Sequence, residues 1–350
     1  MSLSLIKILQ PHPIEASAPC RLDSGGTWDI KAMALPMERM DPVTMNVALN
    51  LRTWVTLSAF KEGWVRILSE GFSHEEVYPL GSLPFNSPFG LFFAAISHFG
   101  FHGLQVHIRS DSPVKAALGG SSTALVALLQ ALSKVATRLG KKRLSAREIL
   151  HLGYHLEDGI SLGGCGIQDQ AAAAYGGVNL WIWRYGNMRS PYKRESLLGV
   201  RGQKEMSKHI LLAYSGKSHV SLRINRSWIS DFLSGKTRAG WIEVNDIVRK
   251  LAQAIKMRDW SKAAGFLCDE MAVRRKITPD ALIPITEKLV SQAEKIGCGA
   301  RFAGAGAGGS VWALGETDSI AHLRSHWESL LTPVRGARLL NCTVDPLGVW

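Results

Sequence analysis

Residues 111–127 read DSPVKAALGGSSTALVA, and this stretch joins a strand pattern to a helix pattern. Before it, LQVHIRS at 104–110 alternates apolar and polar residues, as a half-buried strand does. After it, leucine and valine recur on one broad face from Ser121 to about Leu139, and Gly140 follows as a helix stop. The pattern predicts a strand, a small hydroxyl-rich loop and a helix in direct succession.

The composition of this loop suits a phosphate. A helix N-terminus presents unpaired N–H groups and the positive end of the helix dipole, and glycine lets a phosphate approach the backbone closely. Gly119 and Gly120 would allow that approach, while Ser121 and Ser122 could cap the helix or offer oxygen atoms to Mg²⁺. An ordinary N-cap turn has the same residue types, so the rest of the chain must decide between the two interpretations.

Two acids further along favour phosphate chemistry. Phosphoryl transfer uses one carboxylate that shares the metal and another that takes the proton of the attacking hydroxyl. Glu157 ends an apolar-faced helix predicted from the N-cap Ser145 to about Asp158. Asp169 precedes an alanine run that offers no other carboxylate within a helical turn. The competing interpretations are a surface charge for Glu157 and a helix cap for Asp169.

Two other glycine-rich stretches are CRLDSGGTWD at 20–29 and GAGAGG at 304–309. The second matches GxGxxG, but a dinucleotide-binding turn needs a helix next, and the strand-like SVWAL at 310–314 follows. The stretches SGKS at 215–218 and SGKT at 234–237 lack the first glycine of a Walker A loop. The sequence therefore supports neither of these two common nucleotide-binding loops.

Antiparallel strand pairs backed by helices are expected along the chain, and they predict an α+β architecture in two lobes. The first 115 residues look mostly extended, and 350 residues suffice for two domains. The polar, irregular stretch 186–206 is the best candidate boundary, which gives domains 1–200 and 201–350. Beyond it we predict helices and strands at the following positions: 209–214, 310–314 and 337–344 as strands, 299–304 as a further strand, and 219–233, 239–257, 260–273, 280–296 and 317–331 as helices.

The charge of the chain is strongly basic but dispersed. Lysine and arginine number 41 against 29 aspartate and glutamate residues, a net charge of +12. The densest basic clusters, KKR at 141–143 and VRRK at 273–276, are short, and the tryptophans do not alternate with basic residues as a stacking platform would. We therefore expect a solvated basic surface or attraction of anionic small molecules, and no nucleic-acid partner.

Other features point to a protein of the reducing cytoplasm with no membrane segment. The N-terminus lacks a signal-peptide core, and the longest apolar stretch, at 89–101, is too short to span a bilayer. The 5 cysteines include no CxxC pair, which fits neither a disulfide scaffold nor a zinc site. His151 and His155 lie one helical turn apart without an evident third ligand, so we expect helix-face histidines. No sequence feature specifies the oligomeric state.

Together these stretches resemble the motifs of the GHMP small-molecule kinases, which include galactokinase, homoserine kinase and mevalonate kinase. The three motifs are APCRLDSGGTWD at 18–29, PVKAALGGSSTAL at 113–125 and FAGAGAGGSVWAL at 302–314. CGIQDQAAAAYGG at 165–177 looks like the catalytic-aspartate segment of the galactokinase branch. The combination of the first motif, VALNL at 47–51 and YSGKSHVS at 214–221 looks closer still to fucokinases and heptose 7-phosphate kinases.

The resemblance implies a two-lobed GHMP kinase fold, with an N-terminal lobe like domain 2 of ribosomal protein S5 and a ferredoxin-like C-terminal lobe. It implies ATP and Mg²⁺, and transfer of a phosphoryl group to the anomeric hydroxyl of a sugar or sugar phosphate. Two alternatives remain: a kinase for a non-sugar alcohol of the mevalonate or homoserine type, and a catalytically inactive binding protein of the same fold.

The family pattern also implies roles for individual residues. Asp169 would be the catalytic base, and Arg21 would offset charge at the attacking oxygen. Ser121 or Ser122 would hold Mg²⁺ together with Glu157. The ATP phosphates would lie in the loop formed by Ala117, Leu118, Gly119, Gly120, Ser121 and Ser122, and the substrate would contact Asp23, Asp29, Gly304 and Gly306.

The chain departs from the family pattern at two places. Ala117 stands where the family usually has glycine, and the first motif is one residue shorter before its glycine pair than in fucokinases. Because that first motif lines the sugar pocket, the identity of the sugar stays open.

Overall fold

The computed structural model describes residues 5–187, 189–218 and 221–350, with the side chains of residues 221–223 left aside. The strands are β1 (Ile14–Ser24), β2 (Val43–Ala59), β3 (Trp64–Ser69), β4 (Glu76–Pro79), β5 (Leu104–Ser110), β6 (Val178–Trp183), β7 (Tyr192–Ser196), β8 (Ile210–Tyr214), β9 (Gly299–Phe302), β10 (Ser310–Leu314) and β11 (Arg338–Leu339). The helices are α1 (Leu5–Leu9), α2 (Lys31–Ala34), α3 (Gly90–Phe99), α4 (Gly120–Arg138), α5 (Ala146–Ile160), α6 (Gln168–Tyr175), α7 (Val200–Met206), α8 (Ser221–Leu233), α9 (Arg238–Met257), α10 (Trp260–Ile277), α11 (Pro284–Lys295) and α12 (Thr317–Leu331).

The first sheet is built around the long strand β2, which is rich in valine, threonine and leucine. Antiparallel β1 pairs with it from Ile14 opposite Leu57 to Ser24 opposite Met45, with a register shift between Pro19 and Cys20. β6 and β5 pair with successive parts of β2, and β3, β4 and β7 complete the order β4-β3-β5-β2-β6-β7. This sheet carries the end of β1, where the predicted first motif begins.

The second sheet has the strand order β11-β8-β10-β9 and is antiparallel throughout. In chain order, helices follow the first strand, β8, and the third strand, β10. This is the βαββαβ arrangement of a ferredoxin-like lobe. The glycine-rich stretch at 304–309 is the connection between β9 and β10.

Apolar burial ties the two lobes together. One buried cluster lies between the first sheet and helices α3 to α6, and a second fills the ferredoxin-like lobe and reaches Leu22 and Val43 of the first. The final segment also returns to the first lobe, because Val344 bridges to Leu49 and Trp350 exchanges backbone hydrogen bonds with Ser17. These last residues pack against the first lobe although the predicted second domain contains them.

Most predicted elements are confirmed. The strand, loop and helix around residues 111–127 are β5, the loop and α4, and Ser145 with Glu148 forms the capping box of α5. The segment after 304–309 is the strand β10, whereas a dinucleotide-binding turn would be followed by a helix. The predicted helix at 219–233 is observed as α8, and the first two residues of that prediction lie outside the described residues.

Three predictions were wrong in detail. The first 115 residues include α3, which is apolar on nearly every side and therefore lacks the 3.6-residue periodicity that reveals a surface helix. The strand predicted at 337–344 is reduced to Arg338–Leu339, because the chain then leaves the second sheet for the first lobe. The helix predicted at 280–296 begins only at Pro284, where proline suits the first helical position.

Candidate active site

Arg21, near the end of β1, connects the predicted catalytic acid to the predicted phosphate loop. Its Nε donates to Asp169 Oδ1 at 2.8 Å, and its Nη1 donates to the Ala117 carbonyl oxygen at 2.7 Å. Its backbone N–H donates to the Leu118 carbonyl oxygen at 3.1 Å. Burial alone would lower the pKa of Arg21, but the carboxylates of Asp169 and Asp23 raise it above its ordinary value. The guanidinium is therefore a fixed positive charge at the centre of the site.

The loop before α4 leaves the N-terminus of that helix without a side-chain cap. Ala117 and Gly119 adopt left-handed φ values of 63° and 75°, and α4 begins at Gly120 without a side-chain hydrogen bond to cap it. The Thr123 hydroxyl donates to the Gly119 carbonyl oxygen at 2.8 Å. The conformation at Ala117 explains why glycine suits this position, since alanine there carries a backbone strain of about 1–2 kcal/mol.

The second glycine-rich loop packs directly on the first. A Cβ on Gly309 would lie 2.6 Å from the Ala117 Cβ, and one on Gly304 would lie 3.0 Å from the Ala117 carbonyl oxygen. Gly306 packs elsewhere, because a Cβ there would lie 2.3 Å from the Ala281 carbonyl oxygen. Gly304 is thus brought to the phosphate loop and Gly306 is not, and substrate contact by either glycine stays a prediction.

Asp169 lies in the first turn of α6 with about a quarter of its side chain exposed. Besides Arg21, its carboxylate faces Gly119, where an added Cβ would lie 3.3 Å from Oδ2. Asp29 satisfies the start of α6 instead, because its Oδ2 accepts the Gln168 N–H at 2.9 Å. The contacts of Asp169 therefore differ from those of a helix cap, and its catalytic role stays a prediction.

Asp29 lies beside this helix in a much drier setting, with 2% of its surface exposed. Burial raises the pKa of Asp29 to about 7, the Gln168 N–H opposes that rise, and the charge of Asp169 adds to it. Only glycine fits at position 166, because a Cβ there would lie 1.8 Å from Asp29 Oδ2. Its predicted contact with sugar hydroxyls would require this buried carboxyl group to become accessible.

Glu157, near the end of α5, is half-buried and faces the phosphate loop. Gln170 Nε2 donates to its Oε2 at 2.6 Å, and the Ser122 hydroxyl lies beside the same carboxyl group. Burial raises the pKa of Glu157 to about 7. The structure joins Glu157 to the buried Ser122, whereas Ser121 is exposed at the helix start.

This arrangement fits Mg²⁺, which prefers hard oxygen ligands and is often bound by one or two carboxylates together with phosphates and water. Glu157 and a serine hydroxyl would supply the protein oxygens, and the ATP phosphates would supply others. The described residues include no group of three histidine, cysteine, aspartate or glutamate side chains that could hold a metal unaided. A magnesium site here would therefore depend on the nucleotide.

Asp23 is placed at the site but its carboxylate is already engaged. Arg301 Nη1 donates to its Oδ2 at 2.8 Å, and the Gly304 N–H donates to its Oδ1 at 2.7 Å. Burial would raise the pKa of Asp23, but the charges of Arg301 and Arg21 hold it below its ordinary value. Its predicted substrate contact stays a prediction, and what the structure shows is a connection between the first motif and β9.

Several residues of this region escaped the sequence analysis. Gln170 could have been found because it flanks Asp169 in the sequence. Arg301 and Glu270 could not be found in this way, because their partners are distant in sequence. The interpretation of VRRK at 273–276 as a solvated surface was wrong in part. Arg274 is fully buried, and Arg275 forms ion pairs with two glutamates of α11 at 2.8 and 2.9 Å.

His151 and His155 are exposed on α5 with their Nε2 atoms 3.1 Å apart. Within the ranges that the structure describes, every helix is too short or too polar to cross a membrane.

Residues 89–177 match the family model of the GHMP kinases N terminal domain. No curated protein matches the chain.

Solved structures of GHMP kinases share the fold over nearly the whole chain. A D-glycero-D-manno-heptose 1-phosphate kinase from Bacteriodes thetaiotaomicron superimposes with a TM-score of 0.72 at 17% identity, covering 96% of this chain and 97% of that one. Lactococcus lactis galactokinase complexed with galactose gives a TM-score of 0.72 at 15% identity, covering 97% and 95%. Streptococcus pneumoniae phosphomevalonate kinase gives 0.73 at 14% identity, covering 95% and 100%. The chain therefore has the two-lobed α+β fold of the GHMP kinases, and residues 89–177 match the N-terminal domain of that family.

Proposed function

We propose that the chain is an ATP-dependent kinase that phosphorylates the anomeric C1 hydroxyl of a sugar or sugar phosphate of the fucose, heptose 7-phosphate or galactose type. The observation that carries this proposal is the Asp169–Arg21 pair, 2.8 Å long, at the point where the 117–122 loop meets α6. A partly exposed carboxylate held by a buried cation beside a helix N-terminus suits a base that works next to ATP phosphates.

In the proposed reaction, the acceptor hydroxyl gives its proton to Asp169 and its oxygen forms a bond to the γ-phosphorus of ATP. The bond from that phosphorus to the bridging oxygen breaks, and ADP leaves. Arg21 offsets negative charge near the attacking oxygen, and its bond to Asp169 Oδ1 leaves Oδ2 to receive the proton. The first-turn N–H groups of α4 orient the phosphates. Mg²⁺, when bound, would neutralise charge that develops on the phosphate oxygens.

The names of the similar structures support the class of reaction and leave the acceptor open. The relatives named above act on a heptose phosphate and on galactose, and phosphomevalonate is bound in a third. A crystal structure named as mevalonate kinase has a TM-score of 0.70 at 18% identity, covering 95% of this chain and 98% of that one. A non-sugar alcohol of the mevalonate type is therefore the second candidate acceptor.

A coupled ADP-release assay tests the proposal. The full chain is incubated with ATP and Mg²⁺ and a panel of hexoses, heptoses, their phosphates, mevalonate and homoserine. We expect turnover with a sugar or sugar phosphate, and a product whose new phosphate is assigned to C1 by ³¹P and ¹³C NMR. Turnover confined to mevalonate or homoserine would replace the sugar by the second candidate. Binding of MgADP without turnover of any panel member would favour a non-catalytic binding protein.

A further inference from the structure

Two buried charged residues of the second lobe lie against the glycine turn of the first motif. Glu270 and Arg274 are four residues apart on α10, so they share one face of the helix. Both are fully buried. The segment they face is residues 24–29, which we call the substrate loop because it leads to Asp29. The two lobes therefore meet through charged groups at the predicted acceptor site.

Glu270 binds the beginning of the substrate loop. Its Oε1 accepts the Gly25 N–H at 3.1 Å, and its Oε2 accepts the Ser24 hydroxyl. The Arg301 Nε lies 3.6 Å from Oε1 and balances the charge of Glu270. The glutamate therefore fixes two consecutive residues of the loop while remaining paired itself.

Arg274 packs against the next residue of the loop. Its guanidinium lies 4.5 Å from the Trp228 ring and 4.4 Å from the Trp241 ring, and its Nε donates to the Thr278 hydroxyl at 3.0 Å. Its Nη1 lies 2.3 Å from the position that a Cβ on Gly26 would occupy. Among the described residues neither Nη1 nor Nη2 has a hydrogen-bond partner. The end of this side chain is therefore held by aromatic faces and directed at the loop backbone.

Stability alone is a poor explanation for this arrangement. Buried charges lose their hydration, and apolar side chains of similar volume often stabilise a fold as well or better. What Glu270 and Arg274 add is a defined place for Ser24, Gly25 and Gly26. The placement extends to the catalytic side, because Gln168 Nε2 donates to the Gly26 carbonyl oxygen at 3.2 Å and Gln168 precedes Asp169.

We propose that Glu270 and Arg274 are positioning residues that hold the substrate loop from the second lobe and thereby set the affinity for the acceptor. This inference rests on the proposed function, since it assigns the acceptor to the loop. ATP is bound by a different segment, residues 117–122, so the two residues influence the acceptor and leave nucleotide affinity unchanged.

Gly26→Ala tests the contact with Arg274, and Gly163→Ala is its matched control. Both glycines have left-handed φ values, 56° and 79°, but an added Cβ at Gly163 meets nothing within 4 Å. We expect Gly26→Ala to raise the acceptor KM about tenfold or more, with the ATP KM changed less than about twofold, since inserted atoms in a packed site displace their neighbours. Gly163→Ala should leave both KM values near those of the unmodified protein.

The double variant Gly26→Ala with Arg274→Met identifies the cause. Methionine removes the nitrogen that the new methyl group would meet, so adding Gly26→Ala in this background should change the acceptor KM far less than in the native background. Equal effects in the two backgrounds would overturn the role of Arg274. Equal changes in acceptor and ATP KM would show a general structural defect and also overturn the proposal.

Two measurements do not require a known acceptor. In hydrogen–deuterium exchange, a peptide covering residues 23–30 should take up deuterium faster in Gly26→Ala than in Gly163→Ala, while a peptide covering 117–122 stays unchanged. Stabilisation by MgADP should be equal in both variants. If no panel member is phosphorylated, the exchange result still decides the proposal about the loop, and the assay alone counts against the proposed function.

Ser24→Ala provides a milder test if the glycine variant does not fold. It removes only the hydroxyl bonded to Glu270, and a single hydrogen bond is worth about a 2- to 10-fold change. We expect that rise in acceptor KM together with faster exchange in residues 23–30. Unchanged exchange and unchanged acceptor KM in a folded Ser24→Ala protein would overturn the role of Glu270.

Discussion

Asp169 and Asp29 meet the same helix within one residue of each other, yet their electrostatic surroundings are opposite. Asp169 is partly exposed and forms a 2.8 Å ion pair with Arg21. Asp29 is buried, accepts the Gln168 N–H, and has its pKa raised to about 7. Both carboxyl groups lie at the start of α6, so residue type and place in the fold do not separate their roles. Solvation and the nearest charge do.

One small region therefore holds an acid paired with an arginine and a second acid whose pKa burial raises to about 7. A proton acceptor must be within reach of the substrate, and Asp169 is partly exposed while it forms a 2.8 Å ion pair with Arg21. Asp29 keeps its proton up to about neutral pH because burial penalises its charged form. These surroundings support the proposal that Asp169 is the base, whereas Asp29 accepts the Gln168 N–H at the start of α6.

Asp169→Asn removes the carboxylate that pairs with Arg21, and it has the largest expected effect. Asparagine can still accept the Arg21 hydrogen bond, so the variant should fold and bind MgADP. It cannot act as a base, and general-base catalysis is worth about 10²- to 10⁴-fold, so kcat should fall by that order. Single-turnover kinetics against the unmodified chain measures the loss.

The exposed carboxylate Asp246 on α9 offers a control for this experiment, because Asp246→Asn makes the same chemical change away from the site. That variant should keep its full rate. Near-normal turnover in Asp169→Asn, or loss of the fold, would return Asp169 to a structural role. The charge of Asp169 contributes to raising the pKa of both Asp29 and Glu157. Elements packed against α6 therefore place carboxyl groups near Asp169, although α6 itself supplies no other one.

Glu157→Gln tests the acid on the other side of Asp169. Glutamine keeps the size and the bond to Gln170 but removes the charge that Mg²⁺ requires. We expect the rate at limiting Mg²⁺ to fall by about 10- to 10²-fold and to recover partly as Mg²⁺ is raised. Initial rates over a magnesium series measure this. A magnesium dependence identical to that of Asp246→Asn would exclude Glu157 from the metal site.

The sequence predicts the ingredients of the site better than their connections. The phosphate loop and the two acids follow from local pattern, because a helix N-terminus and its flanking glycines are contiguous in the chain. The partners of Asp23 and Ser24 do not, since Arg301 and Glu270 lie 278 and 246 positions away. Arg274 was misjudged for the same reason: a basic cluster looks solvated until the fold buries one of its members among aromatic rings.

Asp29→Asn replaces the buried acid, and we expect its effect on the free energy of unfolding to grow with pH. The unfolded chain loses the Asp29 proton near pH 4, whereas the folded chain keeps it up to about pH 7. Between these values the folded state binds more protons than the unfolded state, so this residue makes the protein less stable as pH rises through the window. Above about pH 7 the full cost of a buried carboxylate is present.

Asparagine cannot ionise and can still accept the Gln168 N–H through its Oδ1. The variant should therefore differ little from the unmodified protein near pH 4 and become more stable than it by up to about 4 kcal/mol at pH 8. Urea unfolding at pH 4, 6 and 8, with Asp246→Asn as the exposed control, measures the difference. A constant difference at all three pH values would mean that burial does not raise the pKa of Asp29, and the contrast between the two acids would be lost. A difference that grows with pH, together with a slower reaction in the variant, would show that the Asp29 carboxyl group lowers stability and also contributes to the acceptor site.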